Sequence, residues 1–294
     1  MGKAESSTIN FHEDVDLFRE AVRYTVAQTG FVGRLIEKDY FCTVLLAYLR
    51  STTGDDLVFK GGTCLTKVHS EFYRLSEDLD YAIPVAFETS RAERSNRVEG
   101  VKRALSGLKK ALPNCRIVEA LKGANKSTQY LAVLGYRSLL GEREETIKIE
   151  ISLREPLLMP AVTSHARTLL LNPVTNSAMV SPIFISSIAK TEALAEKFRA
   201  ALSRRAPAIR DYYDIDRVIR KDALRTDDKK LIDQVKQKLA VPGNEPINVS
   251  DRRLAALRSQ VASELRPVLR EKDFAEFDLD RAFEIVAEMA KAVA

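Results

Sequence analysis

The chain has 294 residues, 45% of them hydrophobic and 30% charged, which suits one large core or two sharing an interface and excludes wholesale disorder, a collagen-like repeat or a membrane-embedded body. The formal net charge is +5, yet Lys197 to Arg270 holds 18 Lys and Arg against 10 Asp and Glu, a surplus of 8. A positive field on the C-terminal part fits a polyanionic partner such as RNA or nucleotide, and fits equally a solvated helical surface that binds nothing.

Residues Met1 to Asn10 are polar and lack the basic-then-apolar order of a secretion signal, so the expected location is the cytoplasm. Leu17, Val22, Tyr24 and Val26 mark a first amphipathic helix, and Phe41, Val44, Leu45 and Leu49 a second that ends near the turn-rich Ser51 to Asp56. The apolar run Phe41 to Leu49 is about half the roughly 20 residues a bilayer span requires, so no membrane partner is expected. Leu57 to Phe59 reads as a buried strand that feeds a tight turn at Gly61 and Gly62, with a helix from Thr63. Leu79, Tyr81 and Ile83 alternate with Asp78, Asp80 and Ala82 in a strand with one acidic face that Pro84 stops.

Thr89 to Leu112 has the pattern of one charged surface helix, and Ile117 to Leu121, Tyr130 to Tyr136 and Thr146 to Leu153 supply three more strands. Arg154 to Val180, with Pro156, Pro160 and Pro173, reads as a connecting stretch with room for one short strand. Beyond Ser186 the pattern is helical: Ser186 to Ser203, Ile209 to Arg220, Lys229 to Leu239, Ser250 to Leu265 and Leu279 to Val293. The expected class is therefore α+β, a mixed sheet over residues 1–185 with N-terminal helices and a helical domain over 186–294. Cys42, Cys64 and Cys115 are odd in number and widely spaced, which argues for reduced core residues rather than disulfides or a zinc cluster.

The segment Phe59 to Tyr81 carries the chemistry. Gly61 and Gly62 at a strand end, with Thr63 placed to cap the next helix, can leave backbone N–H groups free to receive phosphate oxygens; the same pair is also an ordinary turn. Asp78 and Asp80 leave one strand on the same side, so their carboxylates can converge on one cation, for which Mg²⁺ is the natural choice because it takes one or two carboxylates and completes its shell with substrate phosphates. The alternative is a solvated acidic edge paired with Lys or Arg. In Thr146 to Leu153, Ile147, Ile149 and Ile151 point one way and Lys148, Glu150 and Ser152 the other. If that strand neighbours Asp78 to Asp80, Glu150 adds a third carboxylate, and such a cluster can hold two metals for in-line nucleotidyl transfer.

These residues resemble a known family. Glu37, Lys38 and Asp39, the run Val58 to Thr63, the run Arg74 to Asp80, Ala195 to Lys197 and Arg210 to Asp214 look like the AbiEii/AbiGii-type nucleotidyltransferases, toxins of abortive-infection toxin–antitoxin systems with the MenT toxins as relatives, over roughly Ile36 to Val218. The resemblance implies a polymerase-beta-like nucleotidyltransferase domain followed by a helical bundle. It implies NTP binding by Gly61, Gly62, Thr63 and Lys197, a metal pair in Asp78 and Asp80, and catalysis by Asp78, Asp80, Lys197 and Asp211; beside these, Lys60 and Ser76 are candidate nucleotide contacts, and Glu150, a departure from the family in its third carboxylate, is a candidate third ligand for Mg²⁺ or Mn²⁺, so that one or two metals are open. Asp214, one helical turn after Asp211, shares its face, and Lys190 shares the face of Lys197.

A Lys–Asp clamp that holds helices together is the other reading of Lys197, Asp211 and Asp214. The expected activity is transfer of a nucleoside monophosphate to RNA, with the tRNA 3′ end as acceptor and a cognate antitoxin as partner. Protein nucleotidylylation, a glycosyltransferase and a non-catalytic nucleotide-binding module are the alternatives.

Overall fold

The computed structural model describes residues 9–141, 143–221 and 225–294. Asp14 opens helix α1 (Val15–Thr29) by accepting the Leu17 N–H at 3.0 Å, and Gly30 ends it in the left-handed conformation at φ 78°. Helix α2 (Gly33–Thr53) is buried on nearly every side, including the successive charged residues Glu37, Lys38 and Asp39. Consecutive helical side chains diverge by about 100°, so each of the three meets a different element.

Glu37 accepts the Ser138 hydroxyl at 2.7 Å and the Leu139 N–H at 2.6 Å, Lys38 pairs with Glu77 at 2.7 Å, and Asp39 pairs with the fully buried Lys67 at 2.6 Å. Asp39 also takes the Leu169 N–H at 3.0 Å. Burial pushes the Glu37 carboxyl above its ordinary value. The Glu-Lys-Asp run, part of the family resemblance, is thus the buried bracket that fixes α2 against three separate segments.

The described residues form one seven-stranded mixed sheet from β1 (Val58–Lys60), β2 (Leu79–Ala82), β3 (Cys115–Ala124), β4 (Gln129–Arg137), β5 (Glu144–Ser152), β6 (Val162–Ala166) and β7 (Ile183–Ser187), in the order β3-β4-β5-β2-β1-β7-β6. The α+β reading holds, and the short helix α3 (Gly61–Cys64) leaves β1 at the double glycine. In β5, Ile147, Ile149 and Ile151 are buried while Lys148, Glu150 and Ser152 are half-buried, the alternation expected of a strand with one covered face. The expected single helix over Thr89 to Leu112 is three short pieces, α4 (Arg91–Arg97), α5 (Glu99–Ser106) and α6 (Leu108–Ala111). One break is at Gly107, beside the Tyr48 hydroxyl, which donates to the Ala104 carbonyl at 2.6 Å while that carbonyl also accepts the Gly107 N–H at 3.1 Å.

The other departure is β7. The sequence pattern starts a helix at Ser186, but residues 183–187 are a strand held between β1 and β6, and the helix begins at Lys190. Five residues beside Pro182 carry too little local signal, and pairing with distant strands decides their conformation. The cysteines are free and buried.

By contacts the chain divides into a first unit that runs to Leu157 and resumes over Ala161–Ser187, and a second that comprises Leu158–Pro160 and Ile188–Ala294. The second unit is helical: α7 (Lys190–Ser203), α8 (Ile209–Lys221), α9 (Lys229–Leu239), α10 (Asp251–Gln260), α11 (Glu271–Ala275) and α12 (Leu279–Val293). Leu194, Phe198, Ile215, Val235, Leu257, Val286 and Met289 are wholly buried and form its core.

Charges also lie inside the second unit. Lys238 pairs with Glu192 at 2.8 Å and Glu196 at 3.2 Å, and Glu192 accepts the Leu158 and Met159 N–H groups at 2.9 Å each, which ties residues 158–160 to this unit. Arg253 is buried against the Tyr212 hydroxyl and the Ala201 and Arg204 carbonyls. Part of the positive surplus over Lys197 to Arg270 is therefore consumed in internal pairs. Among the described residues no helix is long and apolar enough to cross a membrane.

Candidate active site

The first cluster is built by three adjacent strands. In the antiparallel β1–β2 pair Lys60 lies opposite Asp80, and in the parallel β2–β5 pair Asp80 lies beside Glu150. Residues in register share a sheet face, so one face receives Lys60, Asp80 and Glu150, with Asp78 two residues before Asp80.

The glycines are required by close approach. Gly61 has φ +76°, and a Cβ there would stand 2.8 Å from both Cβ and Cγ of Asp80. A Cβ on Gly62 would stand 2.5 Å from the Arg74 Nη2 and 3.2 Å from the Ser76 Oγ. Both values fall inside van der Waals contact, so the turn presses directly on the acidic strand and on the segment that leads into it. Thr63 does not cap the next helix, which starts at Gly61; its hydroxyl donates to the Asp78 carbonyl and ties the turn to the start of β2. Arg74 is wholly buried and donates to the Leu75 carbonyl at 3.2 Å. Lys60, Gly61, Gly62, Thr63, Ser76, Asp78, Asp80 and Glu150 are thus gathered in one neighbourhood of the first unit.

Within it, the carboxylates differ. Glu150 accepts the Gln129 amide at 2.7 Å on one oxygen and the Lys148 ammonium at 3.0 Å on the other. Among the described residues no three His, Cys, Asp or Glu side chains are grouped so as to hold a metal ion. The three carboxylates of the expected metal cluster thus share a face in register, with both oxygens of Glu150 held by Gln129 and Lys148. Asp78 and Asp80 are two hard carboxylates beside the glycine turn, a donor set that suits Mg²⁺.

Burial opposes the charge on Lys148, but the hydrogen bond and charge of Glu150, then the charges of Asp78 and Asp80, outweigh it and hold the ammonium above its ordinary pKa. Lys148 was visible in the sequence only as a neighbour of Glu150 on one face. Gln129 left no signal, because its role depends on the β4–β5 pairing.

The second unit carries the other expected residues. The Lys197 ammonium lies 2.8 Å from Asp211 and 2.8 Å from the fully buried Asp214, and Arg204 reaches the second oxygen of Asp211 at 3.1 Å. One lysine between two aspartates on one helix face is an ion cluster that joins α7 to α8, so the clamp is real, and it keeps a charged lysine oriented. Lys190 is half-buried at the first position of α7.

A family model described as nucleotidyl transferase AbiEii toxin, type IV TA system, matches residues 43–288. No curated protein matches the chain. Among solved structures, JHP933 from Helicobacter pylori is 16% identical, with 90% of this chain and 93% of that one covered at a TM-score of 0.52, a likeness of fold. A second H. pylori structure, of a provisionally named nucleotidyltransferase, is 17% identical over 88% of this chain and 90% of its own, with a TM-score of 0.47. With most of its length matched, the chain belongs to the AbiEii family of toxin nucleotidyltransferases, which implies an NTP substrate and a cognate antitoxin.

Proposed function

We propose that this toxin transfers a nucleoside monophosphate from an NTP to RNA in the cytoplasm, with the 3′ end of tRNA as acceptor, and so arrests translation. The observation that carries the reading is the contact of the Gly61–Gly62 turn with Asp80: a turn that would receive phosphate lies against one of the two carboxylates that would hold the metal, which neither a solvated acidic edge nor an ordinary turn requires. Asp78 and Asp80 would hold Mg²⁺, or Mn²⁺ in its place, and the bound ion would supply charge stabilisation to the phosphoryl oxygens.

The chain's own groups do the remaining work. Backbone N–H groups of Gly61, Gly62 and Thr63, with the Ser76 hydroxyl and Lys60, receive phosphate oxygens and orient the α-phosphorus. The acceptor hydroxyl oxygen forms the new bond to that phosphorus while the bond to pyrophosphate breaks, and the hydroxyl proton passes to a nearby carboxylate or water. By the family motif, Lys197 neutralises triphosphate charge and Asp211 orients that lysine. The exposed part of the basic surplus in the second unit would contact acceptor phosphates.

The test is incubation of the purified protein with each α-³²P-NTP, Mg²⁺ and total tRNA, beside Asp80→Ala. RNase-sensitive label that disappears in the variant supports the reading. Label on protein instead makes the acceptor a polypeptide, and magnesium-dependent NTP binding without a labelled product makes the chain a binding module. A folded Asp80→Ala protein that labels tRNA at the wild-type rate refutes the site.

A further inference from the structure

Lys148 belongs to no part of the mechanism above, yet it stands among its carboxylates. It lies on β5 two residues before Glu150 and on the same face, and β2 runs beside β5 with Leu79 opposite Ile149 and Asp80 opposite Glu150. That register, continued by one residue, sets Lys148 level with Asp78. Its ammonium is 3.0 Å from Glu150, and the charges of both Asp78 and Asp80 act on it. The side chain is 44% exposed, so it fills no core space and its position answers to charge. Lys60, opposite Asp80 on β1, is a second basic residue in register on this face, and Lys122, exposed on β3, lies in the same cross-strand row two strands beyond Glu150.

We infer that Lys148 is the resident counter-ion of the carboxylate site, a positioning residue that draws Glu150 away from Asp78 and Asp80 and sets how tightly the site takes a divalent cation. The inference rests on the reading of Asp78 and Asp80 as metal ligands. Three carboxylates on one face repel one another when no cation is near, and Lys148 offsets part of that charge. The same positive charge opposes an incoming dication and occupies the oxygen through which Glu150 could join the ligand set. Lys148 therefore trades affinity for the metal against stability of the metal-free protein.

The experiment is Mn²⁺ titration of the nucleotide-free protein by electron paramagnetic resonance, with thermal melting in EDTA and in saturating Mn²⁺, on the wild type, Lys148→Met, Lys148→Arg and Asp80→Asn. Removal of one positive charge at this range should tighten Mn²⁺ binding by about tenfold. Lys148→Met should therefore bind Mn²⁺ more tightly than the wild type, melt lower in EDTA and recover its melting temperature in Mn²⁺. Lys148→Arg, which keeps the charge, should bind as the wild type does, and Asp80→Asn should lose binding. Unchanged or weaker binding by Lys148→Met, with binding still lost in Asp80→Asn, overturns the role of Lys148 and leaves the metal reading intact. Wild-type binding by Asp80→Asn overturns both. A Lys148→Met protein unfolded even in saturating Mn²⁺ makes Lys148 a fold-keeping residue and also overturns the inference.

Discussion

Gly61→Ala perturbs the site without replacing a single functional side chain. An L-residue at φ +76° costs about 1–2 kcal/mol in backbone strain. The added methyl would stand 2.8 Å from Cβ and Cγ of Asp80, where ordinary carbon contacts lie at about 3.5–4.0 Å, so Asp80 or the turn must move at a further cost of about 1–3 kcal/mol. The expected destabilisation is about 2–5 kcal/mol, which a domain of ordinary stability survives.

Gly54→Ala is the control, because Gly54 also has positive φ, +62°, but nothing lies within 4 Å of its Cβ position. It should lose about 1–3 kcal/mol by strain alone and keep full activity. Urea denaturation measures the two losses, and transfer of α-³²P-NTP label to tRNA measures the site. A displaced carboxylate lowers the labelling rate of folded Gly61→Ala on the order of a hundredfold. If Gly61→Ala loses no more stability than Gly54→Ala and labels RNA at the wild-type rate, the turn does not position Asp80 and the reasoning fails.

Lys67→Met strands the buried Asp39 carboxylate and should lower stability by about 3–5 kcal/mol in urea denaturation. Combining it with Asp39→Asn, which keeps an acceptor for the Leu169 N–H, should recover part of the loss, and strictly additive losses would refute the pairing. Lys197→Met leaves Asp211 and Asp214 facing each other and should lower the melting temperature and abolish labelling. Lys197→Arg should regain stability through its charge but not activity, because a planar guanidinium does not reproduce a compact ammonium; a stable and active Lys197→Met protein would contradict both roles. Burial holds the His12 pKa below its ordinary 6.5 despite Glu13, so the unfolded chain takes up this proton first and stability falls as pH drops from 6.5 towards the folded-state value. NMR titration of the His12 ring gives the folded value, and one at or above 6.5 would reverse the sign.

Much of the architecture was legible in local pattern. The helices at 15–29, 33–53, 229–239 and 279–293 announced themselves by periodicity, and the strands around Ile147 and Tyr130 by alternation. Asp78 and Asp80 shared a strand side by spacing alone, and the double glycine stood in front of them. Strand β7 was missed because a five-residue strand is decided by its neighbours. The break at Gly107, where the Tyr48 hydroxyl of another helix bonds the Ala104 carbonyl, left no mark on the local pattern.

The site divides in the same way. Sequence determines which residues share a strand face or a helix face, since those periods are properties of the backbone: Asp78 with Asp80, Lys148 with Glu150, Asp211 with Asp214. Only the tertiary structure decided that β2 runs beside β5, that the glycine turn touches Asp80, that Glu150 is held by Gln129 and Lys148, and that Lys197 lies between two aspartates. Each of these depends on strand pairing or helix packing between segments up to about seventy residues apart, and the free energy of such pairings belongs to the whole fold rather than to any local stretch of chain.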